Sequence, residues 1–313
     1  MQYFESIDCA TLRGAYLAVG SFDGLHRGHL HLLEKMIQAA GEDHAPAAAV
    51  TFFPHPRTVL PRPAADPPFR YLTALEERLA LLRGLPLDAV ILQPFDAEFS
   101  RLSAEGFLRL LKDRLGMRSF WCGPSFALGK GREGGVAYLS ERSLSLGYSL
   151  YVVPPLSDSD GPITSSRIRR ALAEGDPGRA AGWLGRPFSL SGTVVRGSGR
   201  GRKMATPTAN LDVWPDIALP ADGVYATWSF PAQGRFASVT SIGLRPTFAD
   251  ESGRGRTVET HLLDYDGDLY GTMLRVEFVE RLRPERRFSG RKALQEQMAD
   301  DIAQARTMLR EES

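Results

Sequence analysis

Cysteine is scarce: Cys9 and Cys122 are the only two among 313 residues, and they form no C-x-x-C pair. A disulfide framework and a structural zinc site are thereby excluded, and a reducing compartment fits. No excess of one charge exists either. Lys and Arg number 38 against 37 Asp and Glu, a formal net charge of +1, so no global field recruits nucleic acid or an anionic membrane. Any anion site has to be local. Long apolar runs are missing too, none approaching the roughly 18 residues that would suggest a membrane span. The opening MQYFESIDC carries acidic residues and no apolar signal-type stretch, so no leader is expected there. The expectation is a cytoplasmic protein with neither a membrane nor a nucleic-acid partner. Internal repeats and low-complexity segments are absent.

What is present is enough chain for two cores. Up to about residue 180, short apolar runs alternate with segments of helical periodicity, the pattern of a parallel sheet covered by helices. AYLAV, AAAVTFF, AVILQ, SFWC and SLYVV read as strands. Leu30, Leu33, Ile37 and Ala40 fall on one helix face, and Ala74 to Leu82 and Ala104 to Leu115 behave alike. The first half reads as doubly wound α/β. After GDPGRAAGWLGRPF the texture changes to short strands with Gly and Pro turns and almost no helix until Ser289, the pattern of a small antiparallel barrel. A last helix, striped by Leu294, Met298, Ile302, Ala305 and Leu309, should dock on that barrel. The boundary is expected near Trp183 to Arg186, giving domains 1–184 and 185–313.

Chemistry concentrates first in GSFDGLHRGH, residues 20 to 29, between a strand and a helix expected to begin near Gly28. A helix start offers unpaired backbone N–H groups and the positive end of a dipole, which suits an anion. Gly20, Gly24 and Gly28 let the backbone approach a ligand, and His26 and His29 add imidazole donors; together they suit a triphosphate. A second candidate is ITSSRIRRAL, where Thr164, Ser165 and Ser166 can cap a helix and Arg169 offers a forked donor to phosphate oxygens. Gly129 to Gly134 matches G-x-G-x-x-G only by spacing, without the strand, helix and acidic residue of a dinucleotide fingerprint. No Walker A fits, because Gly131 follows Lys130.

GSFDGLHRGH, FFPHP at 52 to 56, GPSFALGKGREGG and TSSRIR stand in the order found in the amino-terminal module of prokaryotic bifunctional riboflavin kinase/FMN adenylyltransferases, a family this chain resembles over nearly its whole length. RGSGRGRKMATPTAN, GVYA, SIGLRPTF, VETHLLDYDGDLYG and RPERRF resemble the family's riboflavin kinase module, a small closed β-barrel, with P-T-A-N its most specific mark. The resemblance implies a Rossmann-like nucleotidyltransferase domain followed by that barrel and a C-terminal helix. It implies that His26, His29 and Arg169 serve catalysis in the first domain. Nucleotide binding would fall to Gly20, Phe22, Asp23, Gly24, Gly28, Gly123, Ser125, Ser165 and Ser166 there, and to Gly201, Arg202 and Thr208 in the second. Phe126, Arg283 and Phe288 would meet the flavin, Thr208 and Asn210 would hold Mg²⁺, and Glu259 would be the general base. The chemistry agrees on the last point, since a ribityl hydroxyl is a poor nucleophile at neutral pH unless a carboxylate takes its proton.

The implied substrates are riboflavin, FMN and MgATP, with FMN and FAD as substrate and product rather than redox cofactors. Ser125 departs from the family's Asp or Asn, and Ala205 and Thr206 replace a usual Gly-Phe pair. Serine offers a shorter reach than an amide or carboxylate, so adenylylation is expected to persist as the weaker activity. Two alternatives stay open: a kinase with a decayed first domain, and a non-catalytic flavin-binding regulator. The histidine pair and Glu259 speak against the regulator, because binding alone needs no general base.

Overall fold

The computed structural model describes residues 1–63, 66–196, 208–244 and 255–311. By its internal contacts the chain divides into two compact units, Met1–Thr164 and Ser165–Ser313.

The first unit is built on six parallel strands: β1 (Gln2–Phe4), β2 (Tyr16–Val19), β3 (Ala47–Phe53), β4 (Ala89–Pro94), β5 (Ser119–Cys122) and β6 (Ser149–Val152). Their order across the sheet is β1-β4-β3-β2-β5-β6. Strands β2 and β5 are wholly buried and β3 nearly so, which is why they read as continuous apolar runs instead of alternating ones. Edge strand β6 is largely exposed. The crossovers include α1 (Arg27–Glu42), α2 (Leu75–Arg83), α3 (Ala104–Leu115) and α4 (Val136–Leu146). Helix α3 shows how the local sequence sets an element. The Ser103 side chain caps it by accepting from Gly106 N–H at 3.0 Å, and Phe107, Leu108, Leu111 and Leu115 bury one face.

All five expected strands form, within a residue at each end. Strand β1 is an addition to these five; its residues are exposed or half-buried and show no apolar alternation. The glycines of the 129–134 run have a packing reason. A Cβ on Gly129 would lie 2.4 Å from Ala104 N, and one on Gly134 would lie 2.7 Å from Ala104 Cβ. This segment packs against the start of α3 at a distance only glycine allows, and a helix opens just after it, at Val136.

The second unit begins with α5 (Ser165–Glu174) and α6 (Pro177–Leu184), and α6 packs on the barrel strands that follow. Those strands are β7 (Phe188–Val195), β8 (Ala209–Val213), β9 (Gly223–Phe230), β10 (Phe236–Leu244), β11 (Arg256–Leu262) and β12 (Met273–Pro284). They close antiparallel in the order β7-β8-β11-β10-β9-β12, with β12 returning to β7. Inside, the hydroxyls of Thr227, Ser229, Ser238, Thr240 and Thr260 are fully buried and bonded to one another at 2.8 Å. Each buried hydroxyl thus has a partner. The last helix, α7 (Arg291–Glu311), docks as its stripe predicts, with Ala305 and Leu309 buried against Ala226 and its neighbours. One position in that seam is charged: Asp301 is 3% exposed and takes a two-pronged ion pair from Arg283 of β12, Nε to Oδ1 at 2.8 Å and Nη2 to Oδ2 at 2.8 Å.

Candidate active site

Sheet order locates the first site. From β2 the chain runs outward through β3 and β4, then returns to β5 on the other side of β2. That reversal makes the carboxyl ends of β2 and β5 the place where an open α/β sheet binds ligands. Residues 20–28 leave one of these strands and residues 123–126 the other, and Ala18 pairs directly with Trp121.

The 20–28 loop is tightly wound. Phe22 (φ 46°), Gly24 (φ 84°) and Leu25 (φ 36°) lie in the left-handed region within four residues, a conformation that non-glycine residues hold only when their surroundings impose it. His26 then caps α1, its Nδ1 accepting from His29 N–H at 3.3 Å. A neutral His26 ring so bonded carries its proton on Nε2, a donor. The two imidazoles stack at 3.6 Å between centroids, and Phe22 meets His29 edge-on at 5.4 Å. A Cβ on Gly28 would stand 3.0 Å from Ile163 O and 3.1 Å from the His26 ring, so any side chain there would crowd the histidine. Two imidazoles and a helix start therefore occupy one mouth at the switch point, and this arrangement can take an anionic group.

Asp23 turns the other way. Its carboxylate is 1% exposed and accepts from Leu72 N–H at 3.0 Å, Thr73 N–H at 3.2 Å and the Thr73 hydroxyl at 3.4 Å. Gly24 N–H in turn donates to Thr73 Oγ1 at 3.2 Å, and Ser21 O accepts from Thr51 Oγ1 at 3.1 Å and from Arg78 Nη1 at 2.6 Å. The loop is thus held from behind by Thr51, Leu72, Thr73 and Arg78, none of which sequence reasoning had singled out. Thr73 and Arg78 bound a T-A-L-E-E-R string that carries only the signal of an ordinary amphipathic helix, and Thr51 lies within the apolar run of β3.

On the neighbouring loop, Gly123 O accepts from Phe126 N–H at 3.1 Å in a tight turn that leaves Ser125 exposed. Ser125 O accepts from Arg132 Nη2 at 3.1 Å, and the Phe126 ring lies 5.4 Å from Phe120. Ser165, Ser166 and Arg169 stand in the first turns of α5, in the second unit.

The barrel register builds the second site. Along β11, Val258, Thr260 and Leu262 are buried while Glu259 and His261 are half-exposed, so Glu259 lies on the outer face. Directly opposite it stand Asn210 of β8 and Ser241 of β10. Such cross-strand partners share a face, with Cβ atoms about 4.5 to 5.5 Å apart. Thr208 precedes Asn210 by two residues. The result is one half-exposed carboxylate opposite two short neutral side chains, of which Asn210 is buried. Ser241 is a member that the sequence string did not reveal, since only pairing brings it there. Arg283 has Nε and Nη2 on Asp301 and Nη1 on Pro284 O at 3.2 Å, and its guanidinium lies 5.6 Å from the Phe288 ring. Gly201, Arg202, Ala205 and Thr206 lie outside the described residues.

Comparison with known proteins bears on both sites. An FAD synthetase family model matches residues 8–167, and a riboflavin kinase family model matches residues 184–309. The chain belongs to the bifunctional riboflavin kinase/FMN adenylyltransferase family. It is 33% identical to the family's protein from Escherichia coli K12, over 96% of this chain and 95% of that one, and 35% identical to that of Pseudomonas fluorescens, over 95% and 93%. Its fold is similar to the crystal structure of a macrolide-efflux protein from Streptococcus pneumoniae, with a TM-score of 0.86, 27% identity, and coverage of 97% of this chain and 98% of that one. Among the described residues no helix is long and apolar enough to cross a membrane. The family's two modules coincide with the two motif clusters, the stacked histidines in the first and the Asn210–Glu259 register in the second.

Proposed function

We propose that the protein phosphorylates riboflavin to FMN in its barrel and adenylylates FMN to FAD in its parallel-sheet domain, using ATP and magnesium in both reactions. By chemistry the domains are taken as 1–184 and 185–313, and the setting as cytoplasmic. The reading is supported above all by the position of Glu259 opposite Asn210, in a chain that also carries a stacked histidine pair at the switch point of its sheet.

In the kinase, the ribityl hydroxyl attacks the γ-phosphorus of ATP, Glu259 takes the hydroxyl proton, and ADP leaves. Ser241 is close enough by register to orient the carboxylate. Thr208 and Asn210 are the residues that would hold magnesium; such a sparse neutral set suits an ion that keeps several waters and takes other ligands from phosphate. When bound, magnesium neutralises phosphate charge. Phe288 supplies an apolar face for the flavin, with Arg283 fixed behind it by Asp301. Gly201 and Arg202 are assigned to the ATP phosphates.

In the adenylyltransferase, an FMN phosphate oxygen attacks the α-phosphorus of ATP and pyrophosphate leaves. No covalent intermediate on the protein is needed, only alignment and donors for the charge that develops on the phosphates. His26 and His29 are those donors, and Gly20, Gly24 and Gly28 allow the close approach. Ser165, Ser166 and Arg169 are assigned to phosphate as well, Gly123 and Ser125 to the nucleotide, and Phe126 to the flavin. Phe22 and Asp23 act by shaping the loop. Purified protein incubated with MgATP and either riboflavin or FMN, with the flavins separated afterwards, tests the proposal. FAD from both is expected. FMN alone would leave a kinase, and unchanged riboflavin and FMN a binding protein.

A further inference from the structure

Arg78 is a buried cation with no part in the reactions as written. Its side chain is fully buried in α2. Only Nη1 is engaged, donating to Ser21 O at 2.6 Å, while Nε and Nη2 have no hydrogen-bond partner among the described residues. The guanidinium lies 6.0 Å from the Phe53 ring centroid. Burial lowers its affinity for a proton, and the nearby Asp23 carboxylate opposes that effect. An arginine is costly to bury without full pairing, and a shorter apolar residue would serve if α2 needed only to pack. What the charge faces is informative. Ser21 and Asp23 bracket Phe22, one of the left-handed residues of the loop that delivers the histidines.

We propose that Arg78 is a positioning residue for nucleotidyl transfer, holding Ser21 by hydrogen bond and Asp23 by charge so that the wound loop presents His26 and His29 in reacting geometry. The inference rests on the adenylyltransferase reading of that loop. It differs from a stability role in one respect: the strain at Phe22 and Leu25 is opposed from behind, and loss of the Arg78 bond to Ser21 lets the histidine end of the loop move while the sheet beneath stays intact. Thr51 keeps its own bond to Ser21 O at 3.1 Å, so the loop loses aim rather than structure.

The test is a double-mutant cycle on the full chain. Arg78→Met and Arg78→Lys are assayed for FMN adenylylation, each alone and with His29→Ala, while riboflavin kinase turnover and the unfolding midpoint are recorded on the same preparations. Misplacement of reacting groups by about 1 Å costs on the order of a hundredfold, so Arg78→Met is expected to lower kcat about that much with little change in KM for ATP. Arg78→Lys, which keeps the charge but not the fork, should recover roughly a tenth of the wild-type rate. If Arg78 acts through the histidines, its effect shrinks to less than about threefold beside His29→Ala, because coupled positions are not additive. The same fold loss in both backgrounds, a change in KM alone, or wild-type turnover would each overturn the proposal. Should Arg78→Met fail to fold, Arg78→Lys carries the cycle under the same criteria. Wild-type FAD formation by His29→Ala itself would instead discredit the site reading, so the two failures are distinguishable.

Discussion

Glu259→Gln keeps the size and polarity of the side chain opposite Asn210 and removes its capacity to take a proton. Phosphorylation of riboflavin should fall by about a hundredfold or more, while FMN to FAD conversion is retained. His26→Ala and His29→Ala should do the reverse, each losing a preorganised donor worth roughly a hundredfold to a thousandfold in rate. Steady-state assays of both half-reactions on each variant check these outcomes. Ser125 calls for a gain instead of a loss. It is exposed on a turn, so a longer side chain has room. Arg132 already donates to its carbonyl, and an aspartate there would compete for that guanidinium. Ser125→Asn should therefore raise kcat/KM for FMN adenylylation more than Ser125→Asp, by a few-fold up to about a hundredfold for a recovered hydrogen bond, with the kinase unchanged. Residues proposed here to touch substrate were legible as strings: the two histidines, P-T-A-N, Glu259. Residues that hold them were not. Asp23 reads in sequence as part of the ligand loop, yet its carboxylate points into the protein and fixes Leu72 and Thr73, a direction no one-dimensional pattern encodes.

Elements were legible where burial is one-sided or complete. SFWC and the 104–115 helix could be read to the residue because every apolar side chain there faces a core. Strand β1 could not, since three exposed or half-buried residues pair only at the edge. The C-terminal helix was legible as a stripe but not as a stripe with a charge at its centre. Asp301 is buried and is answered by Arg283 from β12, with Gln297 one turn earlier adding a bond to Oδ1 at 2.8 Å. Removing one member of such a pair strands the other, so Asp301→Ala should destabilise the barrel unit by about 3 kcal/mol or more. Chemical unfolding followed by the signal of this unit measures it. A cost near zero would mean that α7 is held by Ala305 and Leu309 alone. The Arg283→Met/Asp301→Leu double replacement should cost far less than Asp301→Ala, because no unpaired charge is left behind.

At the scale of the whole chain, the change of texture near residue 184 foretold a second domain, and the six-stranded closure bears out a barrel. Helices Ser165–Glu174 and Pro177–Leu184 precede that change in texture, yet they group by contact with the barrel unit. Their amphipathic pattern says that they pack, not on what. Two reactions in one chain also predict that the reactions separate. Glu259→Gln and His29→Ala proteins, mixed in equal amounts with riboflavin and MgATP, should together form FAD although neither does so efficiently alone, the second supplying FMN that the first adenylylates. Glu259→Gln should convert added FMN to FAD, and His29→Ala should stop at FMN. Loss of both conversions in each variant, with added FMN left unchanged by the Glu259→Gln protein, would contradict the assignment of one reaction to each site.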